Sequence, residues 1–289
     1  MDKFEQKIEK SEDLVIEITS VNNELVKQAA KLQQKKYRAE EEKFLIEGFK
    51  PIQEAYLAGI EIEQVFVLKE KSSKYEFLNP SSVLRTPSPA RGEGATEFIL
   101  TTEPVLKKIS TTETAPEAVA IAKQKIFTLE DIKDAKKITL LENIKDLGNL
   151  GTILRTAKAF GQDAIILFGD TVDFYNPKCV RSAVGNLWKI PVVQIKDFSA
   201  LKLYFEAHFK NFDRIATLPK SKGSIYLKYF SVGAPYLIMF GSEAEGLSNE
   251  LINFATQKVT IEMNSDVESL NLSISVGVLL YKLTNQLNL

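Results

Sequence analysis

With 289 residues the chain is long enough for two domains, and its 44% hydrophobic and 26% charged residues are typical of soluble globular proteins. One cysteine excludes an internal disulfide framework, and one histidine nearly excludes a His/Cys zinc site or a Ser-His-Asp triad. The net charge of −1 does not by itself indicate nucleic-acid binding, and the sequence has neither a membrane-spanning apolar run nor a secretory signal, so we expect a cytoplasmic protein.

The first predicted element is a basic helix that begins at Asn22 or Asn23, either of which can cap it, and runs to about residue 38. Its polar face carries five cations: Lys27, Lys31, Lys35, Lys36 and Arg38. A solvated face is the ordinary explanation of such a pattern. Because no acid follows the first of these cations until Glu40, the face also suits contact with RNA phosphates, and the five residues are candidate RNA contacts.

Short strands and helices continue to residue 122, which predicts a small N-terminal α/β domain over 15–122. The strands are predicted at 44–48, 64–68, 97–100 and 118–122, and the helices at 51–58 and 103–109. Residues 79–95 hold three prolines and two arginines, and we interpret them as a flexible surface insertion, with a basic hairpin that grips RNA as the alternative. Residues 123–136 are the predicted linker.

The second half, 137–289, again alternates strands with helices, which predicts a mostly parallel sheet with helices on both faces. The predicted strands are 138–141, 164–167, 214–217, 236–240 and 258–261, and the predicted helices are 150–160, 199–209, 249–255 and 270–287. Three polar segments follow strands, at 143–157, 240–247 and 261–273. Because ligands of such sheets bind at the carboxyl ends of the strands, these segments form the candidate site.

The first polar segment reads Asn-Ile-Lys-Asp-Leu-Gly-Asn-Leu-Gly-Thr-Ile-Leu-Arg-Thr-Ala from residue 143. We expect Asn149 to cap the helix that follows. Arg155 lies among apolar residues on the first turns of that helix, where a buried cation needs an anionic partner such as an RNA phosphate. For Arg155 taken alone, a surface arginine is the simpler explanation.

The second and third segments are polar loops that follow apolar strands. The second, Gly-Ser-Glu-Ala-Glu-Gly-Leu from Gly241, lacks the Gly-Lys-Ser/Thr of a nucleotide-binding loop, and its Glu243 suits a cationic ligand or the orientation of catalytic groups. In the third, Ser269 and Asn271 open a long apolar helix, and Ser269 taken alone reads as a helix cap. Small residues inside that helix permit close packing against another helix: Ser273, Ser275 and Gly277.

Together, in this order and at these separations, the three segments resemble the motifs of the SpoU (TrmH-like) branch of the SPOUT methyltransferases, which methylate the ribose 2′-hydroxyl of RNA with S-adenosyl-L-methionine. The resemblance implies five catalytic-site residues: Asn149, Arg155, Glu243, Ser269 and Asn271. It implies six cofactor-binding residues: Leu218, Gly241, Gly246, Ile261, Met263 and Leu270. The stretch 175–185 also resembles the family and adds two candidate RNA contacts, Lys178 and Arg181.

The resemblance further implies an N-terminal RNA-binding module similar to certain ribosomal proteins, a deep trefoil knot in the C-terminal domain and a homodimer formed through that domain. It implies no metal, and the N-terminal module favours ribosomal over transfer RNA as substrate. Two residues depart from the family pattern, since Glu262 and Ser265 stand where Pro and Gly are usual. Because of these two departures, one alternative function is a catalytically silent RNA-binding assembly factor of the same fold. The other alternative is a 2′-O-methyltransferase that acts on transfer RNA.

Overall fold

The structure is a computed structural model that describes residues 16–78, 96–220, 223–264, 266–267 and 269–287, with side chains described as far as residue 284. The predicted insertion at 79–95 and the departure at Ser265 lie outside the described residues. Within the described ranges, no helix combines the length and apolar character needed to cross a membrane.

The described residues form strands and helices that alternate along the chain. The strands are β1 (Ile16–Ile18), β2 (Lys43–Glu47), β3 (Ile62–Leu68), β4 (Glu97–Thr101), β5 (Ala118–Lys123), β6 (Lys137–Glu142), β7 (Ala164–Phe168), β8 (Val192–Ile195), β9 (Asp213–Thr217), β10 (Ile225–Tyr226), β11 (Tyr236–Phe240) and β12 (Gln257–Thr260). The helices are α1 (Glu24–Lys31), α2 (Lys35–Glu41), α3 (Phe49–Leu57), α4 (Glu103–Ile109), α5 (Leu147–Ala159), α6 (Pro177–Ala183), α7 (Phe198–His208), α8 (Asn249–Phe254) and α9 (Leu272–Leu287). Every strand predicted from the sequence is present, whereas β1, β8 and β10 and the helix α6 were not predicted.

The chain divides into two units, of which the first comprises Met1–Lys125 and Tyr175–Trp188. Its sheet has the order β1-β4-β3-β5-β2, with β1, β4 and β3 parallel and β5 antiparallel to both β3 and β2. The apolar stripe of α1 places Val26 and Ala29 in a core with α4 and the sheet. The first unit is thus of mixed α/β class.

The single basic helix predicted over residues 22–38 is wrong, because the structure has two helices separated by a turn at 32–34. Asn23 does cap α1, since its side chain accepts from Leu25 N. Beyond the end of α1, the Leu32 carbonyl accepts a hydrogen bond from Arg38 Nη1 at 2.8 Å. Arg38 is therefore only 1% exposed and is not a surface cation.

The second unit comprises Ile126–Phe174 and Lys189–Leu289 and contains a seven-stranded sheet of order β10-β12-β9-β11-β6-β7-β8. All of its strand pairs are parallel, as predicted. Both faces are covered: Ile138 and Leu140 of β6 join a core with α7 and α8, while Leu141 on the opposite face is also fully buried. After β8 the chain returns to the other side of β6, so β6 and β11 flank the point at which strand order reverses, where ligands bind in such sheets.

The segment Tyr175–Trp188 falls within the predicted C-terminal domain, but in the structure it belongs to the first unit. In the structure, Arg181 Nη1 lies 2.9 Å from Glu47 Oε2, and the rings of Phe44 and Tyr175 are 4.6 Å apart. The Glu47 side chain is only 2% exposed, and a buried carboxylate requires such a partner. The predicted linker also differs, because its first residue ends β5 and Ile132 is buried in the core of the second unit.

Candidate functional site

The three polar segments meet at one edge of the sheet of the second unit. They follow β6, β11 and β12, and the loop after β9 lies between them because β12, β9, β11 and β6 are consecutive neighbours in the sheet. The carboxyl ends of parallel strands share one edge, so the loops that follow these four strands converge. The structure thus brings together residues as distant in sequence as Asn149 and Asn271, which are 122 positions apart.

A cavity of about 420 Å³ lies between the loops that follow β9, β11 and β12 and the start of α9. All six residues predicted to bind a cofactor line it: Leu218, Gly241, Gly246, Ile261, Met263 and Leu270. The lining is otherwise mainly apolar and small, and it includes two acids, Glu243 and Glu245. None of the described residues that line it is Lys, Arg or His, so the cavity is better suited to a neutral or cationic group than to a phosphate.

The loop after β11 folds tightly back on itself. Gly246 N donates to Ser242 O at 3.0 Å, and Gly246 adopts a φ of +68°. A Cβ on Gly241 would lie 1.9 Å from the Gly246 carbonyl carbon. Gly241 is therefore required by the loop itself, and a larger residue there would distort the loop as well as obstruct the cavity.

A chain of side-chain hydrogen bonds joins the three motifs beside the cavity. Asn149 Nδ2 donates to Glu243 Oε1 at 2.6 Å, and Asn271 Nδ2 donates to Asn149 Oδ1 at 3.0 Å. The Asn271 Oδ1 in turn accepts from Ser273 N at 2.9 Å and from Ser273 Oγ at 2.6 Å. The side chains of Ser273, Asn271 and Asn149 therefore donate in one direction, and the Glu243 carboxylate accepts at the end of the chain.

Asn271 holds its orientation because it caps α9. Its Oδ1 accepts from Ser273 N and Ile274 N in the first turn, at 2.9 and 3.4 Å. An amide whose oxygen faces a helix N-terminus turns its NH₂ group outwards, here towards Asn149. Ser269, which read as a cap in the sequence, lies three residues before the helix and lines the cavity as an exposed side chain.

The prediction that Asn149 caps its helix is wrong. Asp146 is the cap of α5, and its Oδ1 accepts from Asn149 N at 2.6 Å. The helix begins at Leu147, which leaves Asn149 within the first turn with its side chain available to bridge Glu243 and Asn271.

The expectation that Arg155 is a buried cation is also wrong. The apolar residues around it, Leu154 among them, point into the core, and Arg155 itself is exposed on the opposite side of α5. It lies six residues, or about 9 Å along the helix axis, beyond Asn149. Among the described residues, no hydrogen bond joins Arg155 to Glu243, Asn149 or Asn271. Because Arg155 is exposed, its burial cannot be used as evidence for an anionic partner.

The candidate RNA contacts in the first unit differ in their availability. Five lysines among them are exposed: Lys27, Lys31, Lys35, Lys36 and Lys178. Lys27 Nζ lies 2.7 Å from Glu24, and Lys36 Nζ lies 3.8 Å from Glu40, so neighbouring acids offset part of the positive field. Arg38 is buried, as described above. The Arg181 guanidinium is engaged with Glu47 and Thr111, so its first role is structural.

Several residues of the site were not identified from the sequence. Glu142, at the end of β6, is buried and accepts from Ser248 N at 2.7 Å, which fixes the start of α8 behind the second motif. Ser275 and Leu279 of α9 line the cavity. Asn271, Ser275 and Leu279 follow one another at intervals of four residues, which was the available signal, because residues four apart share one face of a helix.

Comparisons with known proteins agree with this arrangement. The family model described as the SpoU rRNA Methylase family matches residues 136–281, and the MRM3-like substrate binding domain matches residues 23–120. An uncharacterized tRNA/rRNA methyltransferase of Synechocystis sp. is 32% identical over 272 residues, 94% of each chain. The Bacillus subtilis 23S rRNA (guanosine(2553)-2′-O)-methyltransferase RlmP is 28% identical over 277 residues, which cover 92% of this chain and 98% of that protein.

Solved structures give the same result. The AdoMet-bound rRNA methyltransferase from Sinorhizobium meliloti matches with a TM-score of 0.80 and 28% identity, over 93% of this chain and 97% of that one. The SpoU methyltransferase AviRb from Streptomyces viridochromogenes, in complex with AdoMet, matches with a TM-score of 0.77 and 25% identity, over 92% and 98% of the two chains. With its motifs joined beside one cavity and relatives matched along almost its whole length, this chain belongs to the SpoU rRNA methylase family.

Proposed function

We propose that this protein transfers a methyl group from S-adenosyl-L-methionine to a ribose 2′-hydroxyl of ribosomal RNA. The observation that carries the proposal is the hydrogen-bond chain from Asn271 through Asn149 to Glu243 at the edge of a cavity of about 420 Å³. Relatives from Bacillus subtilis and two Streptomyces species are named 23S rRNA 2′-O-methyltransferases, which supports ribosomal RNA over transfer RNA.

The residues of the cavity fit the proposed cofactor. Its volume lies within the roughly 300–1,000 Å³ of small-molecule sites. We assign the adenosine to the apolar side chains of Leu218, Ile261 and Leu270, and the polar ends to the main chain around Gly241. Glu243 and Glu245 suit a sulfonium cation. S-adenosyl-L-methionine supplies an electrophilic methyl group when bound.

The side chains at the edge of the cavity position the ribose. A 2′-hydroxyl is a weak nucleophile, so alignment and charge stabilisation must supply much of the rate. In the proposed mechanism Asn149, Asn271 and Ser269 orient the hydroxyl, and Glu243 holds the Asn149 amide through its 2.6 Å hydrogen bond. Arg155 binds the adjacent phosphate, because a guanidinium that stays protonated does not act as a general base.

The alternative function, a catalytically silent assembly factor, was suggested by two departures from the family pattern, Glu262 and Ser265. The Glu262 carboxylate lies 3.9 Å from Lys228 Nζ, and the residues on either side of it, Ile261 and Met263, still line the cavity. This geometry favours an active enzyme. Binding of S-adenosyl-L-methionine to the purified protein separates the two functions.

Filling the cavity should abolish cofactor binding without unfolding the protein. Ser275 lies on α9, is half-buried and lines the cavity, so in Ser275→Phe the ring should occupy space needed by the cofactor. We expect the Kd for S-adenosyl-L-methionine, measured by calorimetry, to rise at least about thirtyfold, since overpacking and lost contacts each cost about 1–3 kcal/mol. Ser275→Ala should bind within about threefold of wild type. Equal binding by Ser275→Phe would place the cofactor elsewhere.

We also propose that the protein is a homodimer formed through the second unit. On α9, Ile274, Val278 and Tyr281 are 55%, 39% and 59% exposed and share one face. Such an exposed apolar stripe on a helix suits burial against another subunit. Val278→Glu should therefore give a monomer in sedimentation velocity, whereas Leu203→Glu, at an exposed apolar position of α7, should leave the mass unchanged. A monomeric wild type would refute the dimer.

Two further features follow the family resemblance. We propose that the second unit contains a trefoil knot. In its support, the segment after β12 and the loop after β11 line one cavity before α9 packs against α5. A crystal structure whose backbone trace is unknotted would refute this. We place the protein in the cytoplasm, which cell fractionation tests.

A further inference from the structure

An exposed patch of aromatic rings and cations lies at the edge of the sheet of the second unit. We call Tyr226, Lys228 and Tyr229 the Tyr-Lys patch. Tyr229 is 74% exposed, which is unusual for a large aromatic side chain. Lys228 Nζ lies 4.8 Å from the centroid of the Tyr229 ring and 5.6 Å from that of Tyr226, and Lys220 Nζ lies 5.9 Å from the Tyr226 ring.

The Tyr-Lys patch borders the cavity. Strand β10 pairs in parallel with β12, so that Tyr226 lies opposite Thr260. Thr260 and the next residue, Ile261, line the cavity, as does Pro219, which precedes Lys220. A molecule bound on the patch is therefore beside the cavity mouth.

Glu262, a departure from the family pattern, holds the Tyr-Lys patch in place. Its Oε1 accepts from Lys228 N at 3.4 Å and lies 3.9 Å from Lys228 Nζ. The ion pair is loose, and the Lys228 side chain is 58% exposed, so the ammonium remains accessible to another anion. Glu262 thus connects the loop after β12 to the patch.

The chemistry of the patch fits a nucleotide strand. Aromatic rings stack on bases of any sequence, and an adjacent ammonium contacts the phosphate between them. An apolar protein partner would account for Tyr229 but not for the two lysines. Resting on the proposed function, we propose that the Tyr-Lys patch binds single-stranded RNA next to the target nucleotide, with a base stacked on Tyr229 and a phosphate at Lys228.

Binding of a fluorescein-labelled oligouridylate of 12 nucleotides, followed by anisotropy, tests the patch in the full-length protein. Tyr229→Ala should weaken binding about tenfold, the effect of losing one base–aromatic stack. Tyr229→Trp should bind within about threefold of wild type, because it keeps an aromatic face. Leu203→Ala, which removes an equally exposed apolar side chain from α7, should have no effect. A 4-thiouridine version of the oligonucleotide should crosslink to the peptide that contains Tyr226 and Tyr229.

The contribution of Lys228 has an electrostatic test. In Lys228→Gln, the slope of log K against log salt should fall by about 0.7, the value for one phosphate contact on a single strand. Calorimetry with S-adenosyl-L-methionine should be unchanged in the Tyr229 and Lys228 variants.

Three results would overturn the proposal: no binding by wild type, equal affinity in Tyr229→Ala, or a changed sedimentation coefficient in Tyr229→Ala, which would assign the patch to a subunit interface. A different result would refute the proposed methyltransferase function: the wild-type protein would fail to bind S-adenosyl-L-methionine while still binding the oligonucleotide.

Discussion

Replacing Asn149 by Asp should lower kcat at least about a hundredfold, because Asn149 is the central link between the three motifs. Its Nδ2 donates to Glu243 Oε1 at 2.6 Å, and an aspartate places a second carboxylate at that distance. Two like charges repel, so the hydrogen-bond chain opens and Asn271 loses its fixed partner. The fold should survive, since an acid in the first turn of α5 interacts favourably with the helix N-terminus.

The variant has a distinctive pH dependence. When two carboxylates share one site, the pKa of one of them rises, and the protonated form can again donate to the other. The activity of Asn149→Asp relative to wild type, measured at each pH, should therefore increase as the pH falls. Asn249→Asp, the same change at the exposed first residue of α8, should keep wild-type kcat. A ratio independent of pH, or full activity of Asn149→Asp at neutral pH, would contradict the proposed role.

Arg155→Ala should lower kcat/KM for RNA about ten- to a hundredfold, because it removes a contact with the phosphate and a hydrogen bond to a charged group contributes about 1.5–3 kcal/mol. The Kd for S-adenosyl-L-methionine should stay within about threefold of wild type, because Arg155 is exposed on α5 and does not line the cavity. Arg155→Lys should recover part of the activity, since an ammonium keeps the charge but loses the bidentate contact with phosphate.

Lys158→Ala is the matched control for Arg155, because it removes another exposed cation from the same helix. It should alter kcat/KM by less than about threefold. If Arg155→Ala and Lys158→Ala were equally active, Arg155 would be one surface charge among others and its assignment to the catalytic site would be wrong.

The sequence predicted the parallel sheet of the second unit and the edge at which its polar segments meet, and it did so for a physical reason. Polar segments after apolar strands of a parallel sheet must converge at one edge, and Glu243, Ser269 and Asn271 do so. The sequence pattern did not determine which of several neighbouring polar residues caps the helix. Asp146 and Asn149 both suit a helix cap, and the register of α5 decides for Asp146.

Errors arose where the outcome depended on distant residues. Arg38 looked like the last cation of a helix face, but it is buried against the freed carbonyl of Leu32. Arg181 remains a candidate RNA contact, but the sequence did not show that its guanidinium pairs with Glu47, which is 134 positions earlier in the chain. Local periodicity carries no information about such long-range partners. The sequence pattern around a charged residue with apolar neighbours is also the same whether its side chain points into the core or into solvent.

The most direct test of the account is to identify the methylated group. Purified protein is incubated with S-adenosyl-L-methionine carrying a tritiated methyl group and with an unmodified 23S rRNA transcript, and the RNA is digested to nucleosides that are separated and analysed by mass spectrometry. We expect label in a 2′-O-methylnucleoside, formed at least about a hundredfold more slowly by Asn149→Asp. Label on a base, or no transfer by a protein that binds both S-adenosyl-L-methionine and the transcript, would contradict it.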